Sequence, residues 1–559
     1  MRWIQRICSY ASWALYAMPT VGMVVWASRN RSAHTAVAIL LTFVLVACLF
    51  AAIARTWRRF FLFQFPLCLL GVVFVTYTLA FSISPGPALA GILAATSSEE
   101  VKGFIGMPQG RCLLLLLAGW SIGYLVAASV PPTRPIFTGT ARLGRRIAIF
   151  FVLVPAAAYA ATNPAELIDG IALEPMVGSI MFLGGEIPEA KAEMRGSAVH
   201  KIPYRAQRSG GEEVHILVIG ESARRDSWSV YGYGRPTTPY LDSLKNEAIF
   251  LQHAVADANL TSWAVPILLT GMAPESYELR KVRGNIFDLA KEGGYAATML
   301  VNQDVSISTM VGVDADLIES PLDFSHDTNG RLTLDERLLP AFRREIARGG
   351  KARFIGVHVM GSHWEYFNRY PPSFQRFGSS KQIGNLSLLS ILLAGENNTS
   401  AILDAYDNSV LYSDWILRQI IESARTLAVP ATVTFIADHG EAVAALDGQA
   451  GHGQPVYTAR AFEVPAFVWA NDAYRQLHPD IIAALRANSA KEIRTHDIFY
   501  TVADLMGIKW PEAIAARSFA SDKFVPDTKT KYIAGGVLVD PPQDSDGASD
   551  NKKTLALAR

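Results

Sequence analysis

Cysteine is scarce in this chain and is confined to its beginning. The four cysteines are Cys8, Cys48, Cys68 and Cys112, and none follows. The residues after Cys112 therefore cannot form a disulfide bond with one another, whatever compartment they occupy. A metal site in that region cannot use thiolate ligands either, so imidazole, carboxylate or hydroxyl groups have to form it.

Acidic residues are almost missing from the first 163 residues, where only Glu99 and Glu100 occur. The same stretch is rich in Leu, Val, Ala and Phe. A helix needs about 20 apolar residues to cross a bilayer, and runs of about this length recur here. We therefore predict five transmembrane helices, at about residues 9–27, 36–54, 60–83, 111–130 and 147–163.

Positive charge predicts the orientation of these spans. An odd number of spans places the two ends of the domain on opposite sides, and one side carries most of the arginines: Arg2, Arg6, Arg55, Arg58, Arg59, Arg134, Arg142, Arg145 and Arg146. The other side carries Arg29, Arg31, Lys102 and Arg111. The positive-inside rule assigns the richer set to the cytoplasm, so the large C-terminal part is predicted to be extracytoplasmic.

The overall charge argues against one class of partner. The chain has 51 basic and 50 acidic residues, a net charge of +1, and no basic stripe. Binding to nucleic acid depends on such a stripe, so we do not expect a nucleic-acid partner.

Composition divides the chain into four predicted parts. Residues 1–163 form the transmembrane domain, residues 164–212 a connector, residues 213–534 a domain of ordinary globular composition, and residues 535–559 a tail. The connector contains an apolar stretch from Met176 to Leu183, which fits a helix lying in the membrane interface. The tail is rich in Asp, Pro, Ser and Lys and is predicted to be disordered.

Metal-binding side chains follow three apolar runs of the globular part. Glu221 follows His-Ile-Leu-Val-Ile-Gly, His363 ends a run that begins Phe-Ile-Gly-Val, and Asp438 and His439 follow Thr-Val-Thr-Phe-Ile-Ala. Short β-rich runs separated by helical sequence are typical of parallel strands, whose carboxyl ends meet at a ligand-binding edge. Carboxylate and imidazole suit zinc or a similar divalent ion. The pattern indicates a metal-dependent hydrolase or transferase.

Two hydroxyl groups are candidates for the nucleophile. Thr261 lies at a predicted helix start, where a hydroxyl is either an N-cap or a metal-activated nucleophile. Ser222, next to the first carboxylate, is the rival, and the nearby Arg224 can pair with carboxylates or phosphates. His452, in a glycine-rich loop, is either exposed to solvent or held for use. The local sequence leaves these alternatives open.

Six motifs, in their order along the chain, resemble the membrane-bound phosphoethanolamine transferases, which have an alkaline-phosphatase/sulfatase-like catalytic domain. They are Val-Ile-Gly-Glu-Ser-Ala-Arg-Arg, Tyr-Gly-Tyr-Gly-Arg-Pro-Thr-Thr-Pro, Thr-Ser-Trp-Ala-Val-Pro, Gly-Ser-His-Trp-Glu-Tyr-Phe-Asn-Arg-Tyr-Pro, Tyr-Asp-Asn-Ser-Val-Leu-Tyr-Ser-Asp and Ala-Asp-His-Gly-Glu. The resemblance covers nearly the whole chain. It implies a five-helix transmembrane domain followed by an α/β/α periplasmic domain of the alkaline-phosphatase/sulfatase type, in a bacterial inner membrane.

The resemblance also implies a ligand set. On the matching positions, Glu221, Asp438 and His439 are expected to bind one zinc ion, with Thr261 as the nucleophile at that metal. His363 and His452 match histidines on the substrate side, which are expected to bind a second zinc or to transfer protons.

Four further residues are predicted substrate contacts. Asn368 and Arg369 belong to the fourth motif. Ser97 and Glu99 lie in the loop between the third and fourth spans, where a simple surface turn is the competing interpretation.

The resemblance implies a reaction in which Thr261 attacks phosphatidylethanolamine, diacylglycerol leaves, and the phosphoethanolamine passes to an acceptor. The expected partners are this donor lipid, the bilayer and an envelope glycolipid or glycan, and the chain is expected to be a monomer. Members that modify lipid A have cysteines flanking the nucleophile, which this chain lacks. The acceptor therefore stays open between lipid A, the lipopolysaccharide core and a periplasmic glucan.

Three other functions compete with this interpretation. A phosphoglycerol transferase shares the spans and the ligand types. A sulfatase needs a Cys or Ser converted to formylglycine, and no cysteine lies in the catalytic part. A catalytically silent, membrane-anchored metal sensor belongs to a different class, and the complete ligand set argues against it.

Overall fold

The computed structural model describes residues 2–54, 56–81, 108–130, 161–189, 201–277, 281–303, 311–319, 334–363, 366–378, 397–447, 451–453 and 458–540, together with residues 90, 93, 157, 159 and 191. The chain divides into two compact units. The first ends at Lys191, and the second contains everything from Ala192 onward.

The first unit is helical. Its helices are α1 (Arg2–Asn30), α2 (Ala33–Ala54), α3 (Trp57–Phe81), α4 (Pro108–Ser129), α5 (Pro164–Leu173) and α6 (Pro175–Met181). The first four coincide with the first four predicted spans, because uninterrupted apolar sequence favours helices that satisfy every backbone group internally.

The number of spans stays a prediction. Within the described residues, Ala33–Ala51 and Trp57–Leu79 are by themselves long and apolar enough to cross a membrane. The pair α5–α6, bent by 84°, makes a third if it is counted as one broken span. The predicted fifth span, at 147–163, lies mostly outside the described residues.

The interfacial position of the connector stays a prediction. Its first part forms α5 and α6, which pack inside the first unit against α2 and α3. Glu174 lies buried at the bend, where its carboxylate accepts the backbone N–H groups of Met176 and Val177 and the hydroxyl of Thr20. Gly170 lets α5 approach α2 closely, since a Cβ there would lie 2.3 Å from the Cβ of Ala38. Composition could not reveal these contacts, because an apolar stretch suits a membrane interface and a helix–helix contact alike.

The second unit is built on a seven-stranded sheet. In spatial order its strands are β3 (Ile249–Phe250), β9 (Ala466–Ala470), β8 (Ala431–Ala437), β2 (Val214–Gly220), β7 (Arg353–His358), β5 (Ala296–Val301) and β6 (Leu317–Glu319). Strand β9 runs antiparallel to both of its neighbours, so it alone opposes the direction of the sheet. The three strands that the sequence predicts to be parallel, β2, β7 and β8, are parallel in the structure. The central strands are buried on both faces, as parallel strands covered by helices have to be.

Helices cover both faces of this sheet. They are α7 (Pro239–Ser243), α8 (Thr261–Thr270), α9 (Ile286–Glu292), α10 (Leu339–Ile346), α11 (Asn397–Arg425), α12 (Ala444–Asp447), α13 (Asp472–Leu477), α14 (Pro479–Asn488) and α15 (Asp497–Leu505). One group packs around the long helix α11, which contacts α7, α10 and β8. Another packs around α15, which contacts α8 and α9. The result is the α/β/α arrangement that the sequence predicts.

Three small two-stranded sheets complete the unit. They are β1 (Gln207–Arg208) with β11 (Ile508–Lys509), β4 (His253–Val255) with β10 (Glu492–Arg494), and β12 (Tyr532–Ala534) with β13 (Val537–Val539). The last pair corrects the predicted start of the disordered tail at residue 535.

Glycine explains why the chain continues folded past that point. Gly535 and Gly536 have φ values of 54° and 80°, which allow the two-residue turn of this hairpin. The Gly535 N–H donates to Oδ1 of Asn259 at 3.0 Å, and Tyr532 packs edge-on against Phe462. Residues 541–559 of the predicted tail lie outside the described residues.

Truncation tests the assignment of the hairpin. Ending the full chain at Asp540 should leave the thermal unfolding temperature unchanged. Ending it at Ala534 removes β13 and the Gly535–Asn259 hydrogen bond, which should cost about 1–3 kcal/mol of unfolding free energy. Thermal melts of both truncated proteins measure the difference, and equal melting temperatures would contradict the hairpin's contribution.

Candidate metal centre

Three strand ends bring the predicted ligands together. Gly220, the last residue of β2, pairs with Ala437, the last residue of β8, so Glu221 and Asp438 emerge side by side. On the other flank, the loop after β7 approaches through Gly361, whose φ of 50° and missing Cβ allow contact with the backbone of Glu221. The Ser362 N–H then donates to the Glu221 carbonyl at 3.0 Å. The sheet thus delivers all three motifs to one edge.

Four predicted ligand groups converge there. The Thr261 Oγ1 atom lies 3.1 Å from Nε2 of His439 and 3.2 Å from Oε2 of Glu221. The same Nε2 atom lies 3.4 Å from Oε1 of Glu221 and 3.4 Å from Oδ2 of Asp438. Four ligands at zinc distances in a tetrahedron are about 3.3–3.6 Å apart. The spacing of these side chains therefore fits one tetrahedral ion.

Hydrogen bonding supports the same fit. Oδ1 of Asp438 accepts the N–H groups of Ser222 and His439, whereas the buried Oδ2 has no hydrogen-bond partner among the described residues. Nδ1 of His439 lies 2.8 Å from the Gly440 carbonyl, to which it can only donate, so its lone pair is on Nε2. A buried carboxylate oxygen without a donor is costly, and a cation satisfies it.

The electrostatics of the cluster favour a bound cation. Burial raises the pKa of Asp438 well above its ordinary value, and the neighbouring Glu221 carboxylate raises it further. Burial also opposes ionisation of Glu221, but the pKa of that carboxyl is lowered, because His452, whose own pKa is raised, lies nearby and Gln303 donates a hydrogen bond to it. Burial lowers the pKa of His439 to about 3, so its ring is neutral and available as a ligand at neutral pH. Two adjacent buried carboxylates and a neutral imidazole are the ligands that a divalent ion requires.

The two remaining predicted histidines lie beside this cluster. The ring centroid of His452 is 4.3 Å from that of His439 and 5.5 Å from that of His363. Glu221, His439 and His452 also place one ligand atom each within 4.8 Å of one another, so His452 is near enough to share an ion.

Glu441 orients His452, and sequence reasoning gave it no role. Its Oε2 atom lies 2.6 Å from Nδ1 of His452, and its Oε1 atom accepts the hydroxyl of Tyr366. Burial alone would lower the pKa of His452, but the Glu441 carboxylate more than offsets it, and the pKa is raised. The signal was present in Ala-Asp-His-Gly-Glu, where a second carboxylate follows the metal-binding pair.

Of the predicted substrate contacts, Asn368 and Arg369 belong to the described residues. Arg369 is buried and holds His363, since its Nε donates to the His363 carbonyl at 2.9 Å and a terminal nitrogen lies 3.3 Å from Nδ1 of that ring. Asn368 precedes it in the short helix Tyr366–Asn368. Ser97 and Glu99 lie outside the described residues.

Two further residues at this edge escaped prediction. Gln303 lies just after the end of β5, as the predicted ligands lie after the ends of β2 and β8. Its Nε2 donates to Oε2 of Glu221 at 2.6 Å and to the Val359 carbonyl at 3.0 Å. His358, the last residue of β7, is fully buried, and its Nε2 lies 4.0 Å from the same Oε2. Burial lowers the pKa of His358 to about 4, so this ring is neutral as well.

The structure resolves two of the open alternatives. Leu260 is the N-cap of α8, and no side chain caps that helix, so the Thr261 hydroxyl is not an N-cap group. Arg224 is buried against the carboxylates of Asp226 and Asp447, which is the carboxylate pairing rather than the phosphate pairing.

Comparison with known proteins agrees with this architecture. The family model described as Sulfatase matches residues 214–508. The Kdo(2)-lipid A phosphoethanolamine 7''-transferase of Escherichia coli is 24% identical over 318 residues, which are 56% of this chain and 54% of that protein. The chain spans about half the length of the curated relatives it matches.

Solved structures share the fold. The integral membrane lipooligosaccharide phosphoethanolamine transferase A from Neisseria meningitidis superimposes with a TM-score of 0.67 at 18% identity, over 92% of this chain and 97% of that one. The C-terminal periplasmic domain of EptC from Escherichia coli, in complex with zinc, gives a TM-score of 0.51 at 22% identity, over 60% of this chain and 95% of that one.

Removal of a ligand tests the metal centre. The full-length variants His439→Ala and Asp438→Asn should bind zinc more than about 100-fold more weakly than the parent, since each loses a direct ligand. Elemental analysis and competition with a zinc indicator measure the loss. His253→Ala, which removes an exposed imidazole from β4, is the matched control and should keep full zinc content. Unchanged zinc in the two ligand variants would refute the ligand assignment.

Proposed function

The chain belongs to the sulfatase family, and from that premise we propose that it is a zinc-dependent transferase that moves phosphoethanolamine from phosphatidylethanolamine to an envelope glycolipid or glycan. The observation that carries the proposal is the position of the Thr261 hydroxyl. It lies 3.1 Å from Nε2 of His439 and 3.2 Å from Oε2 of the buried Glu221, and begins a helix without capping it. A hydroxyl in that place is positioned to act as a nucleophile.

The residues that would hold the metal are Glu221, Asp438, His439 and Thr261. Zinc, when bound there, supplies Lewis acidity that favours the ionised form of a coordinated hydroxyl and offsets phosphate charge. The proposed ion count is one at these residues, with a second near His363 and His452.

Helix α8 supports phosphate binding at Thr261. The first backbone N–H groups of an α-helix have no partner within the helix, and the helix dipole makes that end positive. A phosphate group placed against Thr261 therefore meets N–H donors as well as the nucleophile. This arrangement favours a phosphoryl substrate over an uncharged ester.

The proposed reaction has two displacements. Thr261 Oγ1 loses its proton and bonds to the phosphorus of phosphatidylethanolamine, while the phosphorus–oxygen bond to diacylglycerol breaks and the leaving oxygen takes up a proton. An acceptor oxygen, from a phosphate or from a hydroxyl that gives up its proton, then attacks the phosphorus of the phosphoethanolamine–threonine ester. The bond to Thr261 breaks, and its oxygen regains a proton.

His452 is the proposed carrier of these protons. Its Nδ1 proton is directed at Glu441, which leaves Nε2 to exchange a proton with a leaving or attacking oxygen. His363, held by Arg369, is the second group within reach of the same space. Asn368 and Arg369, with Ser97 and Glu99, remain proposed substrate contacts.

The proposed location is the bacterial inner membrane, with the second unit in the periplasm. Apolar N-terminal helices and the distribution of arginines support it. A relative named for acting on Kdo(2)-lipid A supports a glycolipid acceptor. We propose lipid A, the lipopolysaccharide core or a periplasmic glucan as acceptor, and a monomer as the working form.

Donor choice tests the proposed function. The purified full-length protein in detergent, loaded with zinc, should release diacylglycerol from phosphatidylethanolamine and leave phosphatidylglycerol intact. Thr261→Ala should reduce the release to the background level, a loss of at least about 1,000-fold, because no other group forms the covalent ester. Thin-layer chromatography of labelled lipids measures both products.

A neighbouring hydroxyl provides the matched control. Ser262→Ala removes the next hydroxyl of α8, which is partly buried and is not one of the ligand groups, and should keep activity within about threefold of the parent. Consumption of phosphatidylglycerol instead of phosphatidylethanolamine would establish the phosphoglycerol alternative. Equal loss in the Thr261 and Ser262 variants would contradict the assigned nucleophile.

A further inference from the structure

Ser222 has an unusual backbone conformation. Its φ is 52°, in the left-handed region, and the only other non-glycine residue with positive φ in the described part of the chain is Arg205. An L-residue in this region brings its Cβ close to a carbonyl oxygen, so the conformation is strained. Strain of this kind persists where surrounding contacts enforce it, and it is concentrated at functional sites.

Contacts enforce it from three directions. The Ser222 N–H donates to Oδ1 of Asp438 at 3.2 Å, and its hydroxyl donates to Oε1 of Glu221 at 2.6 Å. Its carbonyl accepts the hydroxyl of Tyr406 at 2.9 Å. Ser222 is fully buried, so no contact with bulk solvent replaces these bonds.

The left-handed conformation makes the bond to Glu221 geometrically available. In extended chain, successive side chains point to opposite faces, so a serine hydroxyl cannot reach the carboxylate of the preceding residue. The positive φ at Ser222 interrupts this alternation directly after β2. Its hydroxyl and the Glu221 carboxylate then lie on the same side, and the N–H of Ser222 points at Asp438.

One residue therefore contacts two of the four ligand groups. Oε1 of Glu221 is held by Ser222, and Oε2 of the same carboxylate is held by Gln303 at 2.6 Å. Asp438 receives the Ser222 N–H on Oδ1, which leaves Oδ2 directed toward His439 at 3.4 Å. The two carboxylates are fixed relative to each other through a single strained residue.

We propose that Ser222 is a positioning residue of the metal centre, which orients Glu221 through its hydroxyl and Asp438 through its backbone. This inference rests on the zinc site of the proposed function. It differs from the rival assignment of Ser222 as nucleophile, because the only hydroxyl proton is donated to Glu221. Hydrogen bonds to metal ligands typically contribute 10- to 100-fold in metal affinity.

Three substitutions separate the contribution of the hydroxyl from that of the strained backbone. Ser222→Ala removes the hydroxyl and keeps a Cβ. Ser222→Gly removes the hydroxyl and relieves the strain. Ser222→Thr keeps the hydroxyl but adds a β-branch, which disfavours positive φ. Zinc affinity and metal-free stability should therefore follow different orders in the same set of full-length proteins.

The measurements use zinc and no substrate. Competition with a chromophoric zinc indicator should give affinities within about threefold of the parent for Ser222→Thr, and about 10- to 100-fold weaker for Ser222→Ala and Ser222→Gly. Thermal melts of the metal-free proteins should place Ser222→Gly a few degrees above Ser222→Ala, and Ser222→Thr below the parent.

Two control variants match the two changes, the loss of a buried hydroxyl and the relief of a positive φ. Ser227→Ala deletes another buried hydroxyl of the same segment, one without a hydrogen-bond partner among the described residues, and should keep parental zinc affinity. Arg205→Gly relieves a φ of 56° at an exposed position and should also keep it.

The outcomes distinguish this inference from the proposed function. Zinc affinity that follows the presence of the hydroxyl supports positioning by Ser222. Equal affinity in all three Ser222 variants, or affinity that follows melting temperature, overturns it while leaving the zinc-dependent transferase in place. A parent protein that binds no zinc overturns both.

Discussion

The interaction on which the site depends is the repulsion between two buried carboxylates. Glu221 and Asp438 emerge from adjacent strand ends and are fully buried, so neither can be stabilised by water. Backbone N–H groups, the Ser222 hydroxyl and the Gln303 amide satisfy three of their four oxygens, and Oδ2 of Asp438 remains without a donor among the described residues. A divalent cation would offset both charges and satisfy this oxygen, and the Thr261 hydroxyl lies beside the same ligand atoms.

Hydrogen bonds elsewhere in the second unit hold these groups in position. Asn259, two residues before Thr261, donates its N–H to the Ile533 carbonyl and accepts the Gly453 N–H on its own carbonyl. Its side chain accepts the Gly535 N–H. The segment before Thr261, the loop of His452 and the C-terminal hairpin are therefore held together by hydrogen bonds to one buried residue, Asn259. This is why a hairpin at the end of the chain belongs to the site.

Much of this architecture follows from the sequence, because strand-end ligands and long apolar runs have strong physical signatures. The central sheet and the convergence of Glu221, Asp438 and His439 could be predicted in this way, whereas the place of Thr261 beside them followed only from the family resemblance. The antiparallel direction of β9 could not be predicted, since the apolar sequence of a buried strand does not depend on the direction in which the strand runs. The burial of α5 and α6 and the hairpin at Gly535 depend on close packing and on tertiary hydrogen bonds. The supporting contacts of Ser222, Gln303 and Glu441 could not be predicted either, because local sequence does not reveal which groups from different loops are in contact.

The central claim is that Thr261 forms the covalent link to the transferred group. The most direct measurement is peptide mass spectrometry of the zinc-loaded, full-length protein after incubation with phosphatidylethanolamine and no acceptor. We expect a phosphoethanolamine adduct on the peptide that contains Thr261, with fragment ions that locate it on that residue. An adduct on Ser222, or release of diacylglycerol without any adduct at Thr261, would contradict it.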